Sequence, residues 1–313
     1  MTANDYLSII TGLALFLFGM KAMGQALDAL AGSGLEPLLR RLTRSKASSV
    51  AVGAGVTAVI QSSDATAIMS VGLVNRGILE PKRALWVIMG AKVGTTVTAQ
   101  LLALDLTNAA PVVALFGVCL MVFCSKPKIC AAGQAVGGFG FLFIGMGMMG
   151  AGMGALAGEG WFEGFTRSLS SNPLLGICAG AAAAAIIQSS SASVGVFQAL
   201  TGTGLIGFAA AAPVVAGMNI GAGVTAVLYS LGAGKKARRT AAAAFLFPVA
   251  GTLIFLALAY VLRLPLLNAL ESLTPGDAPR QLANFHTAFN LISLAALLPC
   301  DELLMKAARR VTG

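Results

Sequence analysis

Charge is what this chain has least of. Asp, Glu, Lys and Arg make up 11% of its 313 residues, against about 25% in an ordinary soluble domain. It has one histidine, and its five cysteines, Cys119, Cys124, Cys130, Cys178 and Cys300, form no Cys-x-x-Cys pair. That pattern argues against zinc and dithiol sites, and the cysteines read as small buried residues in or beside apolar runs. No strand-period alternation appears, so a transmembrane barrel is excluded. The N-terminus, Met1 to Asp5, has no basic region before its apolar run, and that run is long enough to span. No cleavable leader is expected, and the first helix stays. No Gly-x-Ser-x-Gly elbow accompanies the serines, which speaks against a hydrolase.

Apolar and small residues are abundant instead. With 57% hydrophobic residues, 38 glycines and a mean hydropathy of +0.85, the chain reads as an all-α, polytopic membrane protein whose helices pack through small residues. The net charge of +9 sits in short loops between apolar segments. This is the positive-inside pattern and not a nucleic-acid patch.

Within this apolar background one polar device occurs twice. Gln61-Ser62-Ser63-Asp64-Ala65-Thr66 is echoed 127 residues later by Gln188-Ser189-Ser190-Ser191-Ala192-Ser193. At the same offset Gly90-Ala91-Lys92-Val93-Gly94 falls on Gly217-Met218-Asn219-Ile220-Gly221, Gly77 on Gly204 and Thr98 on Thr225. In the first span Leu17-Phe18-Gly19-Met20 recurs as Phe143-Ile144-Gly145-Met146, at an offset of 126. Unpaired polar groups in a bilayer cost several kcal/mol each, roughly, so a polar run there implies a ligand.

Loop charge sets the topology. Residues 6–30 span and lead to Arg40, Arg41, Arg44 and Lys46. Residues 47–75 are bounded by basic loops at both ends, the second holding Arg76, Lys82 and Arg83. Two arms of roughly 14 residues are too short to cross, so a re-entrant hairpin with Gln61 to Asp64 at its tip is expected. Spans follow at 84–104, interrupted between Gly90 and Thr96, then at 110–124 and 133–156. A second hairpin, 173–203, enters from the other side, and residues 206–231, 240–262 and 281–300 complete seven spans. Asp105, Glu159 and Glu163 read as solvated charges of the outer loops. Sixteen of the 21 basic residues fall on the assigned cytoplasmic side, placing the N-terminus outside and the C-terminus inside the cytoplasmic (inner) membrane. Three crossings separate the starts of the two units, so the repeats, 1–130 and 131–265, are inverted, with 266–313 as a final span and tail.

Inverted repeats broken near the midplane are the sequence pattern of a secondary transporter. Half-helix N-termini offer N–H groups to an anion, while hydroxyls and freed carbonyls can hold a small cation. The candidate binding residues are Gln61, Ser62, Ser63, Asp64, Thr66, Lys92, Thr95 and Thr96 in the first unit. In the second they are Gln188, Ser189, Ser190, Ser191, Ser193, Asn219 and Thr225.

In these motifs, and in the stretch Asn284 to Asn290, the chain resembles the bacterial branch of the type II sodium/phosphate cotransporter family. That likeness covers about residues 10 to 300. It implies sodium-driven uptake of inorganic phosphate with both hairpins forming the site, sodium coming to Ser63, Ser190 and Asn219, and no cofactor. The partners implied are phosphate or a similar oxyanion, sodium and the bilayer, without nucleic acid; a homodimer is the assembly considered on general grounds. Many relatives carry a PhoU-like domain, which is not expected here, the chain being read to Gly313. Two positions depart from the family pattern: Asp64 replaces the third serine and Lys92 the asparagine of the first copy. Together they leave the motif's net charge unchanged. A Lys92–Asp64 pair is expected to stand in for a sodium site, with a purely structural ion pair as the alternative. The single His286 reads as a packing hydrogen-bond partner, Lys21 as a structural residue that snorkels or faces a cavity, and Met146 to Met153 as flexible filling between glycines, with no second ligand set for copper.

Overall fold

The structure, a computed structural model, describes residues 1–313 apart from residue 105 and residues 262–264; of Ser33 and Leu35 it describes the backbone alone. The outer-loop charge expected at Asp105 and the last residue of the expected 240–262 span therefore lie outside the described residues. Among those residues there are helices and no strands.

The chain begins with α1 (Ala3–Ala31), a short α2 (Leu35–Leu42), and the hairpin arms α3 (Lys46–Ile60) and α4 (Ser63–Asn75). Next come α5 (Pro81–Gly94), α6 (Thr96–Leu102), α7 (Ala110–Phe123) and α8 (Pro127–Gly154). The second half holds α9 (Gly160–Ser171), hairpin arms α10 (Pro173–Ile187) and α11 (Ser190–Gly202), α12 (Phe208–Tyr229) and α13 (Lys235–Leu256). It ends with α14 (Leu266–Leu273), α15 (Ala278–Leu297) and α16 (Asp301–Thr312). Five helical stretches are long and apolar enough to cross a membrane: α1, α5 with α6, α8, α12 and α13. The two other expected spans take different forms. α7 is a shorter apolar helix, and α15 qualifies together with α16 across an 88° bend.

The arms of the two hairpins coincide residue for residue at the offset of 127: Lys46–Ile60 with Pro173–Ile187, and Ser63–Asn75 with Ser190–Gly202. Their packing repeats as well. A Cβ added to Gly53, Gly90 or Gly94 would overlap the carbonyl oxygens of Val87, Val50 and Ala54. The counterparts Gly180, Gly217 and Gly221 meet Val214, Ile177 and Ala181 in the same way. In both copies contacting residue numbers rise together along the two helices, so α3 runs parallel to α5 and α10 parallel to α12. Between each parallel pair lies one short helix, which must therefore run back.

The relation between the halves is visible where α1 meets α8. Gly12 packs on Gly145 and Gly19 on Gly138; Gly138 and Gly145 are the positions 126 residues after Gly12 and Gly19. Equivalent residues exchange partners across an antiparallel contact, as a local two-fold axis requires. The repeats are inverted.

Polar contacts gather the basic segments on one face. Lys46 Nζ lies 2.9 Å from Asp301, Lys82 Nζ 2.7 Å from Glu302 and Arg76 3.0 Å from Glu36, while Gly234 N–H donates to Asn75 at 2.9 Å. The start of α3 and the end of α4 thus share that face. The exit of α11 is held on the other, where Gln198 Nε2 donates to the Pro279 carbonyl at 3.1 Å.

Four amphipathic helices correct the expectation of plain loops and a tail. These are α2, α9, α14 and α16, whose few apolar residues recur on one side over two or three turns, a signal that a search for span-length runs passes over. α9 is bent by 114° from α10, and α16 buries Leu304, Met305 and Ala308. Glu159 is likewise not simply solvated, since it pairs with the N-terminal amine. Nor are the cysteines buried: three are half-buried, and Cys178 and Cys300 are exposed. Thiols are apolar enough to face lipid, a surface that hydropathy does not distinguish from a core.

Candidate functional site

Each hairpin turns on the same three residues. Gln61 and Gln188 end their first arms in the left-handed region, at φ 57° and 56°, the only non-glycine residues with positive φ among the described ones. Glycine is the usual occupant of such a helix end, and a side chain there costs on the order of 1 kcal/mol. The next residue caps the returning arm: Ser62 Oγ accepts from Ala65 N–H at 3.1 Å, and Ser189 Oγ from Ala192 N–H at 3.2 Å. The cap is closed by Thr66 donating to the Ser62 carbonyl at 3.1 Å and by Ser193 donating to that of Ser189 at 2.8 Å. Within this scaffold Ser63, Ser190 and Ser191 are buried, yet their hydroxyls make no hydrogen bond among the described residues. The first N–H groups of α4 and α11 also have no partner inside their own helices.

The two copies then diverge. Gln61 is buried, accepts from the Thr98 hydroxyl at 2.7 Å and donates to the Ala58 carbonyl. Gln188 is exposed, and no such bond joins it to Thr225. Thr57 and Thr66 hydroxyls meet at 2.9 Å inside the first hairpin. The α5–α6 interruption falls at Thr95, whose buried Oγ1 has no partner, while the Thr96 hydroxyl donates to the Val93 carbonyl at 2.8 Å.

A cavity of about 290 Å³ joins the tips. It is lined by Gln61, Ser62 and Ala65 from the first hairpin, Ser189 from the second, and Lys21, Gln25 and Asp28 from α1. It extends toward the end of α1 that leads to α2, on the face gathering the basic segments. On the opposite face a separate cavity of about 460 Å³ is bordered by Leu102, Phe143, Gly147, Gln198 and Asp277. Lys21 and Gln25 also border a lateral cavity of about 430 Å³ against Val118, Gln134 and Phe141. Of the stripe Lys21, Gln25, Asp28, spaced four and three apart on one helical face, Lys21 faces a cavity, one of the two placements its sequence allowed, while Gln25 and Asp28 carried no signal in the sequence.

Lys92 and Asn219, equivalent in the two repeats, flank α15. His286 is wholly buried, with Nε2 3.4 Å from Asn219 Oδ1; Asn290 Nδ2 lies 3.4 Å from the same oxygen and donates to the His286 carbonyl at 2.8 Å. His286 therefore bonds to a predicted site residue, and its Nδ1 has no partner. Lys92 is buried to 4% exposure and stands within Coulombic range of Asp64 and His286. No carboxylate among the described residues comes within 4.0 Å of its ammonium, so the expected Lys92–Asp64 contact ion pair is absent from this conformation. The two residues lie on neighbouring helices, where sequence spacing specifies no distance. No cluster of three or more His, Cys, Asp or Glu suited to a metal occurs among the described residues.

A family model described as Na+/Pi-cotransporter matches residues 15–151 and again 144–264, once on each half. The chain is 28% identical over 305 residues to the Salmonella typhimurium protein named "Putative inorganic phosphate export protein YjbB", covering 97% of this chain and 55% of that protein. The Escherichia coli K12 protein of the same name is likewise 28% identical, over 307 residues. The Bacillus subtilis "Uncharacterized protein YqeW" is 29% identical over 304 residues, 93% of each. The chain thus spans about half the length of the YjbB proteins and nearly all of YqeW. No solved structure gives a match.

Proposed function

The chain belongs to the Na+/Pi-cotransporter family, and from that premise we propose that it moves inorganic phosphate across the cytoplasmic membrane by alternating access, binding it between the two hairpin tips. The observation that carries this reading is the duplicated left-handed glutamine. Both copies retain a strained, side-chain-bearing residue where glycine would relieve the backbone, and strain kept twice in one device marks a functional constraint. Ser62 and Ser189 line the cavity. One residue further on, outside its lining, the uncommitted hydroxyls of Ser63 and Ser190, with Ser191 and the N-termini of α4 and α11, are the donors this reading assigns to an oxyanion. Gln61 and Gln188 hold the turns, with Gln61 locked on Thr98. Ser63, Ser190 and Asn219 are the oxygen donors available to a coupling sodium ion, although the Asn219 oxygen is already shared with His286 and Asn290. Orientation follows the charge: the face gathering Lys46, Arg76 and Lys82 is cytoplasmic, placing the N-terminus outside and the C-terminus inside.

Phosphate flux in proteoliposomes tests this, with sodium, lithium, potassium or a pH gradient as the sole driving force. Saturable flux is expected, and Ser63→Ala with Ser190→Ala should weaken phosphate affinity at least roughly tenfold. Flux that follows voltage without saturating would sink the transporter reading.

A second reading draws on Lys92 and Asp64. A fixed ammonium where the other repeat has Asn219 can replace a sodium ion, which would reduce sodium coupling and suit net outward movement, the direction in the names of the YjbB relatives.

A further inference from the structure

Two inverted repeats of identical chemistry would give phosphate two equivalent entrances, one on each face. The cavities on the two faces of this chain differ in their charged residues, and most of all in one cation. The cavity on the basic face is walled by Met20, Lys21 and Gln25 of α1; the cavity on the opposite face is walled by Phe143, Met146 and Gly147 of α8. In the repeat register Met20 corresponds to Met146, Lys21 to Gly147 and Gln25 to Ala151. An ammonium on one side thus faces bare backbone on the other.

Lys21 is free to act on a ligand. It is exposed, and among the described residues no carboxylate lies within 4.0 Å of it. Asp28, the acid of the same cavity, is two turns nearer the mouth, about 10 Å along the helix, beyond a Debye length of roughly 8 Å at physiological salt. The opposite cavity holds Asp277, which pairs with Arg280 at 3.6 Å and caps α15, leaving no uncompensated cation there. Resting on the reading of the tips as a phosphate site, we infer that Lys21 makes the basic-face cavity the higher-affinity entrance. It acts as a specificity-determining residue for oxyanion capture on that side alone, and so biases an otherwise symmetric carrier toward loading from the basic face. Because Lys21 also borders the lateral cavity, the phosphate group of an anionic lipid presents the same chemistry. The inference commits to free phosphate.

The test is sided phosphate flux in vesicles of determined orientation made only of zwitterionic phosphatidylcholine. The parent is expected to show a lower KM for phosphate on the basic face than on the other. Lys21→Met should raise the basic-face KM roughly tenfold, the lower end of what a hydrogen bond to a charged group contributes, with the opposite-face KM unchanged. The kcat for flux from the basic face should rise in proportion, because kcat/KM is equal in both directions without a gradient. Raising salt should shrink the difference between the faces in the parent. Gly147→Lys, whose Cβ would meet only the Thr107 methyl at 3.0 Å, should lower the opposite-face KM, and it keeps the inference testable if Lys21→Met fails to fold. Equal KM values on the two faces of the parent would overturn the inference while leaving the transport reading standing. So would a Lys21→Met effect that appears only when anionic lipid is added, or one that falls equally on both faces. Absence of any phosphate flux in the parent would overturn both.

Discussion

Within the duplicated hairpin-tip motifs, Asp64 and Lys92 are the positions that differ in charge, each taking the place of a neutral residue, Ser191 or Asn219, in the other copy. A buried charge is tolerated when another offsets it, even without contact, because the field between them is weakly screened away from water. Removing one partner alone leaves the other uncompensated. Lys92→Asn and Asp64→Ser as single changes should therefore reduce the yield of folded protein in detergent more than the double change does. If Lys92 stands in for a sodium ion, the double variant should gain sodium stimulation of phosphate flux; sodium dependence unchanged from the parent would discard the ion-substitution idea. Asp301 offers a cleaner electrostatic case, outside the spans. Burial by itself would raise its carboxyl, but hydrogen bonds from Lys46 and from Trp86 Nε1, at 2.9 and 2.7 Å, outweigh this and hold it below the ordinary carboxylate value. A depressed folded-state value stabilises the protein above the ordinary carboxylate range, and that stabilisation is lost as pH falls through the folded value. Asp301→Asn should lower the melting temperature at neutral pH, at a cost of about 1–2 kcal/mol given the half-exposed lysine. Its melting temperature should then fall less steeply than the parent's on acidification toward pH 3, which thermal scans across pH would measure.

At the scale of the helix, the hairpins rest on backbone contact that only glycine permits. Gly53→Ala and Gly180→Ala should each destabilise by about 1–3 kcal/mol, since both would drive a methyl into a carbonyl oxygen of a rigid neighbouring helix. Gly55→Ala, on the same helix with nothing within 4 Å of its added Cβ, should be neutral or stabilising by up to roughly 1 kcal/mol through helix propensity. Equal thermal shifts for Gly53→Ala and Gly55→Ala would refute the packing argument. These elements were legible in the sequence because the duplication marks both hairpins at once, and the expected bounds, 47–75 and 173–203, fall within one residue of the observed ones. Less legible was the difference between α5–α6 and α12. The first is interrupted at Thr95, where the Thr96 hydroxyl competes for the Val93 carbonyl, while the second runs unbroken through Pro213. Side-chain competition for a backbone carbonyl depends on rotamer and surroundings, which a residue pattern does not encode. Beyond Lys21, the cavity wall on α1 escaped for a related reason. Lys21, Gln25 and Asp28 share a helical face, but only packing against the hairpin tips reveals that this face lines a cavity.

Over the whole molecule, the two-fold exchange at the α1–α8 contact and the parallel pairing of α3 with α5 require that a chain entering at Lys46 leaves at Asn75 on the same face. The contacts of Lys46 with Asp301 and of Asn75 with Gly234 place both ends beside segments of the basic face. Because the five cysteines are free and none is buried, a cysteine-less background should fold, and Ala47→Cys and Asn75→Cys can be introduced into it one at a time. In sealed vesicles a membrane-impermeant maleimide should label both from one side only, the side that also labels a cysteine placed at Lys306. A cysteine at the exposed Ser272, in the segment Glu271 to Thr274 that Gln281 holds at the other end of the molecule, should label from the opposite side. Labelling of positions 47 and 75 from opposite sides would mean that α3 and α4 together cross the bilayer. That crossing would turn α4 parallel to α3 and α5 antiparallel to it, contrary to the register of Gly53, Gly90 and Gly94, and the tips could not meet at a common cavity.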